Sequence, residues 1–224
     1  QAEWASRVRE AARDAGERIE SLLASGSGRT MLDLARSAAA STSGPLVLGA
    51  SNPVRAFDLA VPTLEGRVVH SNRGQAGIDG TIATAVGICL GSGYAGEASA
   101  PVGTRVTAVM GDLTACHDAS SLALVASTGA HLDIVVADDG GGGIFATLEH
   151  GRATSPEAYD RWFGLAQSVD YEALAAAYGV AFARAGEPRE LEDLLDRPVR
   201  GPRLIHAPVE RAEDLYRAIR DVLS

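Results

Sequence analysis

The sequence predicts an α/β fold: a parallel sheet with helices on both faces. Three observations carry that reading. Short apolar runs at 46–48, 104–110, 132–137, 180–183 and 203–207 alternate with segments whose apolar residues recur at helical spacing. The composition is 46% apolar but only 5% aromatic, which suits closely packed helices on a sheet better than an all-β sandwich. Several strands run straight into Gly or Asp, at Gly49, Gly111-Asp112 and Asp138-Asp139, and parallel sheets bind ligands beyond the carboxyl ends of their strands.

Taken in order, residues 3–24 carry Trp4, Val8, Ala11, Ala12, Ala15, Ile19, Leu22 and Leu23 on one helical stripe, broken by Ser25-Gly26-Ser27-Gly28. A second amphipathic helix follows at about 30–40, then a buried strand at 45–49 and a helix beginning at 55–59. Val68-Val69 is a strand remnant leading into Ser71-Asn72-Arg73-Gly74, and 78–90 is a buried helix of small apolar residues. The strand at 104–110 precedes a helix at 119–127 and a strand at 132–137, after which glycines 140–143 form a loop. A polar loop spans about 149–167. Asp170 then caps a helix that stops at Gly179. A strand at 180–183, a helix at 188–195, a strand at 203–207 and a helix at 210–223 complete the chain. Apolar strands between helices imply a sheet covered on both faces.

At 224 residues the chain suits one large α/β domain, or at most two small ones. The net charge is −9 with no basic run, which argues against a nucleic-acid partner. Anionic ligands must then be held by local arginines, backbone amides or a metal. Cys89 and Cys116 are the only cysteines and form no CxxC pair; they read as buried thiols in a reducing, cytoplasmic setting. No apolar stretch reaches the roughly 18 residues of a membrane span, and no signal peptide is visible. The chain opens at Gln1 inside a helical pattern, so a fragment of a longer protein is expected.

The chemistry begins at Asp112, which follows an apolar strand through Gly111. Asp139 lies 27 residues on, at the end of the next strand. One intervening helix can place the two carboxylates at neighbouring strand tips. Two carboxylates and a loop carbonyl leave open positions on a hard cation, an arrangement Mg²⁺ favours beside a phosphate. Glycines 140–143 let backbone come close, with amides free for phosphate oxygens. On spacing alone, two turn-forming aspartates and a flexible loop explain the pattern as well.

Gly111-Asp112-Leu113 with Asp138-Asp139 resembles the thiamine-diphosphate motif. Ser71-Asn72-Arg73-Gly74-Gln75-Ala76-Gly77-Ile78-Asp79-Gly80 resembles the SNRGxxGIDG block of the 2-succinyl-5-enolpyruvyl-6-hydroxy-3-cyclohexene-1-carboxylate (SEPHCHC) synthases. Gly111-Asp112-Leu113-Thr114 with His117-Asp118, and Gly141-Gly142-Gly143-Ile144-Phe145, are similar to further blocks of that family in the same order. The resemblance implies a diphosphate-binding domain over 29–224, preceded by a linker helix over 1–28. It implies thiamine diphosphate with Mg²⁺ or Mn²⁺, the metal held by Asp112, Asp139 and the Gly141 carbonyl. Gly111, Leu113, Thr114, Gly142 and Gly143 would contact the cofactor, with Ile78 as the apolar wedge that bends it. Ser51, Arg55, Arg73, His117, Ile144, Phe145 and Leu148 would meet substrate, Arg55 and Arg73 nearest the reacting centre. Paired guanidinium forks suit the multiply anionic 2-oxoglutarate and isochorismate that the family implies. The implied reaction is decarboxylation of 2-oxoglutarate and 1,4-addition of the succinyl unit to isochorismate, in menaquinone biosynthesis. The pyrimidine-binding domain, which lies towards the amino terminus in the family and reaches the site from a partner subunit, has no counterpart here. An isolated chain would then be inactive, and the enzyme a homodimer or homotetramer.

The sequence departs from the family at three points. The family's metal motif carries Asn near the second ligand, whereas here Asp138 and Asp139 are both acidic, and the extra carboxylate beside a diphosphate adds repulsion unless a cation offsets it. His117 replaces an aromatic or another polar residue, and Ala50 replaces a polar one. Another thiamine-diphosphate lyase, such as an acetolactate synthase or 2-oxoacid decarboxylase, would share Asp112, and a non-catalytic module of the same fold would tolerate the acidic pair. Gly91-Ser92-Gly93-Tyr94-Ala95-Gly96 satisfies GxGxxG literally. It follows a helix instead of a strand, which disfavours a nucleotide-binding dehydrogenase.

Overall fold

A computed structural model of the protein describes residues 2–91, 105–197 and 199–223. Most of the GxGxxG segment and the first residue of the strand expected at 104 lie outside the described residues.

The chain runs α1 (Ala2–Ala24), α2 (Met31–Ala40), β1 (Leu46–Leu48), α3 (Asn52–Ala60), β2 (Val69–His70), α4 (Thr81–Gly91), β3 (Val106–Gly111), α5 (Asp112–His117), α6 (Leu122–Thr128) and β4 (Leu132–Asp138). It continues through α7 (Glu149–Ala153), α8 (Pro156–Tyr159), a π turn (Asp160–Gly164), α9 (Tyr171–Tyr178), β5 (Ala181–Arg184), α10 (Pro188–Asp196), β6 (Arg203–Pro208) and α11 (Glu213–Leu223). The six strands form one parallel sheet in the order β2-β1-β3-β4-β6-β5.

Side-chain alternation along the strands divides the core in two. Leu46, Leu48, Val109, Val135 and Ile205 point to one face, where Leu32 and Leu34 of α2, Phe57 of α3, Leu191 of α10 and Ile219 of α11 cover them. Val47, Ala108, Met110, Ile134, Val136 and Leu204 point to the other, beneath Ile82 and Val86 of α4, Leu122 and Val125 of α6 and Tyr171 of α9. Both faces are buried, as the continuous apolar strands require.

Local chemistry sets the helix ends. Thr30 and Asp33 form a capping box on α2, the Thr30 N–H donating to Asp33 Oδ2 at 2.8 Å. Asp170 caps α9 by accepting from the Ala173 N–H, and Gly179 closes it at φ +69°. Helix α3 starts three residues before the expected 55, because Pro53 fits the first helical turn. Helix α4 starts at Thr81, after the left-handed Gly80 (φ +63°). The loop expected at 149–167 instead holds α7, α8 and the π turn; short polar helices of four or five residues have too few apolar positions to show a period.

At the amino end of the sheet Asp133 is buried between two buried guanidiniums. Arg105 Nε donates to Oδ2 at 2.8 Å and Arg203 Nε to Oδ1 at 2.9 Å. Further Arg105 and Arg203 donors reach the Val199, Leu132, Gly201 and Leu194 carbonyls. The cluster ties β3, β4 and β6 together where the strands begin.

The chain leaves β1 for the edge strand β2 and returns on the other side of β1 as β3. That reversal opens a crevice at the carboxyl ends of β1 and β3.

Candidate functional site

The crevice holds a cavity of about 170 Å³. Ala50, Ser51, Asn52 and Pro53 line it from the end of β1, Gly111, Asp112, Leu113 and Thr114 from the end of β3, and Asp139, Gly141, Gly142, Gly143, Ile144 and Phe145 from beyond β4. Ile78 and Met31 complete the wall.

The pairing of β3 with β4 sets Gly111 level with Ala137, which brings the Asp112 and Asp139 segments to adjacent strand tips. Asp112 opens α5 and is 2% exposed. Its Oδ1 accepts the Leu113 N–H at 2.8 Å, while its Oδ2 is buried with no partner. Burial pushes this carboxyl up to about 7; the Leu113 N–H opposes the rise and the charges of Asp139 and Asp138 add to it. Burial also lifts Asp139 to about 6, against the pull of Arg211 and of the Asn52 amide 3.4 Å away. Two reluctant carboxylates and one unsatisfied oxygen make a site that a hard cation would complete. No group of three His, Cys, Asp or Glu side chains arranged to hold a metal occurs among the described residues, so any third protein donor is a backbone carbonyl or a neutral side-chain oxygen.

Asp138 stands beside Asp112 but is engaged from β6. Its Oδ2 lies 2.9 Å from His206 Nε2, and that bond holds its carboxyl below the usual range. His206 stacks on Tyr171 at 4.7 Å. The first acidic residue of the pair, Asp138, is therefore matched by a histidine from β6.

The glycine loop is shaped by packing. Gly140 and Gly141 have φ of +75° and +120°, and a Cβ on Gly142 would sit 2.0 Å from the Phe163 carbonyl oxygen. A Cβ on Gly143 would lie 2.3 Å from Asp139 Oδ2, so a larger residue there would displace that carboxylate. The loop amides are not free: Gly140 donates to Asp138 Oδ1, Gly142 to the Gly164 carbonyl and Gly143 to the Gly141 carbonyl. The expectation of free amides for phosphate is corrected at Gly140, Gly142 and Gly143 by these internal acceptors. Ser51 is strained in the crevice wall at φ +78°. The block at 71–80 docks on that wall through Gly77, where a Cβ would meet the Ala50 methyl at 2.8 Å.

Four of the residues singled out from sequence lie outside the lining. Arg55 is exposed and donates to the Ser51 carbonyl at 2.6 Å. Arg73 is exposed on the docked block, Leu148 is 41% exposed, and His117 pairs with Asp79 at 3.0 Å in the open. The neighbouring Asp118 is buried and caps α4, accepting the Ile82 and Ala83 N–H groups. Sequence reasoning missed Met31, Asn52 and His206. Only His206 left a signal, as the polar interruption of an otherwise apolar strand. Cys89 is buried and Cys116 half-buried, and neither is in a disulfide among the described residues. No helix among the described residues is long and apolar enough to cross a membrane.

A SEPHCHC synthase of Nocardioides sp. (strain ATCC BAA-499 / JS614) is 40% identical over 97% of this chain, which spans 41% of that relative. Another, from Clavibacter michiganensis subsp. michiganensis (strain NCPPB 382), is 46% identical over 74% of the chain and 28% of the relative. Among solved structures, benzoylformate decarboxylase from Polynucleobacter necessarius matches with a TM-score of 0.60 at 18% identity, covering 81% of this chain and 33% of that one. The thiamine diphosphate-dependent 4-hydroxybenzoylformate decarboxylase of Rhodococcus jostii RHA1 matches with 0.60 at 17%, over 84% and 34%. These two show a shared fold. The family model for the thiamine pyrophosphate enzyme, C-terminal TPP binding domain, matches residues 55–207, and with its crevice at the expected strand ends this chain belongs to that family.

Proposed function

We propose that the chain, over residues 29–224, is the diphosphate-binding part of a SEPHCHC synthase, and that α1 links it to a preceding domain. The observation that carries this is the buried, partnerless Asp112 Oδ2 at the tip of β3, beside Asp139 and the glycine loop. Asp112, Asp139 and the Gly141 carbonyl would hold Mg²⁺ or Mn²⁺ against the diphosphate, neutralising carboxylates whose ionisation burial opposes. Bound there, thiamine diphosphate supplies the electron sink for loss of CO₂ from a 2-oxoacid. Ile78 would press on its central bend, with Gly111, Leu113, Thr114, Gly142 and Gly143 around the diphosphate arm. Ile144, Phe145 and Leu148 would give the substrate an apolar wall that excludes water. Arg55 and Arg73, both exposed, would bind the carboxylates of 2-oxoglutarate and isochorismate, with Ser51 and His117 as further polar contacts.

The reaction proposed is decarboxylation of 2-oxoglutarate followed by 1,4-addition to isochorismate, in the cytoplasm, as a step towards menaquinone. The site would be completed by a pyrimidine-binding domain of a partner subunit in a homodimer or homotetramer, so the isolated chain would turn nothing over. Calorimetric titration with thiamine diphosphate, with and without Mg²⁺, tests the reading on this chain and on the full-length protein, beside Asp112→Ala. Binding that requires both Mg²⁺ and Asp112 supports it; full-length protein that binds no cofactor refutes it. A panel of 2-oxoacids then separates this activity from that of other thiamine-diphosphate lyases.

A further inference from the structure

The glycine loop does not hold its shape alone. A strap formed by α8 and the π turn, residues 156–165, lies across it. Tyr159 is 8% exposed and its hydroxyl donates to the Gly142 carbonyl at 2.9 Å. The same carbonyl accepts the Phe145 N–H at 3.1 Å, so both of its lone pairs are used. In return the Gly142 N–H donates to the Gly164 carbonyl. Phe163 packs its ring against Phe145 at 5.5 Å and against Tyr159 at 6.1 Å. A Cβ on Gly141 would lie 1.9 Å from the Gly164 oxygen, so strap and loop backbones are in van der Waals contact. At the strap's end Leu165 takes φ +48°, a conformation that a bulky residue adopts only where surrounding contacts enforce it.

Strap and loop thus exchange two hydrogen bonds at Gly142, one in each direction, next to the carbonyl of Gly141. We propose that Tyr159 is a positioning residue: through Gly142 it fixes where the Gly141 carbonyl and the Asp139 carboxylate stand, and so sets how readily the site takes up its divalent cation. The inference rests on the cofactor reading above. Without the hydroxyl the Gly142 carbonyl loses one donor, and the loop gains alternatives to the geometry a small, demanding cation such as Mg²⁺ requires.

Tyr159→Phe keeps the ring packing and removes only the hydroxyl. Hydrogen exchange of peptides spanning 140–145 and 160–165, with no ligand added, reads the loop directly; thiamine diphosphate binding at varied Mg²⁺ in the full-length protein reads the site. The expected result is exchange about fivefold faster in those peptides, together with a Mg²⁺ demand for cofactor binding raised by about the same factor. Saturating Mg²⁺ should restore affinity, and the melting temperature should stay within a few degrees of wild type. Unchanged exchange overturns the inference, as does faster exchange with unchanged Mg²⁺ demand, which would leave Tyr159 a purely structural residue. If wild type itself binds no cofactor, the cofactor reading fails and takes this inference with it; equal Mg²⁺ demand in two binding proteins sinks this inference alone.

Discussion

Asp112→Asn separates what this carboxylate does for binding from what it does to stability. The group is raised from 3.8 to about 7 by burial, so the folded state holds its proton more tightly than the unfolded chain does. Its effect on stability is therefore most favourable below pH 3.8 and is lost as pH rises through about 7. A rise of that size sets an upper limit of roughly 4 kcal/mol on the effect. Water entering the open cavity screens the charge and reduces this to about 1–2 kcal/mol. Asparagine keeps the acceptor for the Leu113 N–H and places an amide donor where the orphaned Oδ2 stands, beside Asp138 and Asp139. In urea titrations of the metal-free chain, the variant should be more stable than wild type by about 1–2 kcal/mol at pH 8, with the advantage shrinking towards pH 4. Its Mg²⁺-dependent cofactor affinity should fall at least about a hundredfold, since a metal-bound carboxylate is replaced by a neutral, weaker ligand. A variant that is less stable at pH 8, or that keeps wild-type affinity, refutes the argument that this residue is held ready for a cation.

Gly142→Ala drives a Cβ into the Phe163 carbonyl; melting should show a loss of about 1–3 kcal/mol, and calorimetry a loss of cofactor binding. Asp133→Ala leaves two buried guanidiniums facing each other and should cost about 3–5 kcal/mol in urea denaturation, with any residual folded protein still binding cofactor. His206→Ala removes the partner that holds Asp138 low. That stabilisation exists above the unfolded pKa of 3.8 and is lost as pH falls through the depressed folded value. The variant should therefore be weaker by about 1–3 kcal/mol at pH 6, and the gap should close in acid; a gap independent of pH would assign His206 a packing role only.

The parallel sheet was legible because its strands are apolar throughout, which happens only when both faces are covered, and because Gly and Asp mark strand tips. The crevice was legible for the same reason: Asp112 and Asp139 follow their strands directly, so register alone brings them together. What stayed hidden depends on contacts between distant segments. Nothing local in Tyr159 or Gly164 reveals a strap across a loop some twenty residues earlier, and a four-residue helix such as α8 gives no period to detect. The glycines were read as room for a ligand, yet at Gly141 and Gly142 the space is already filled by the strap's own carbonyls; a glycine run signals close approach without saying of what.

Asp138 shows the same limit from the side of charge. Along the sequence it adjoins Asp139 and can only add repulsion to an acidic pair. In the sheet, β4 pairs with β6 so that Val136 is level with His206, and the imidazole reaches forward to the Asp138 carboxylate. One carboxylate is thereby matched by the protein itself, while Asp112 and Asp139 are left raised and one oxygen of Asp112 is left without a partner. The division of labour among the three acids is set by which strand lies beside β4, a property of topology that no window of sequence contains.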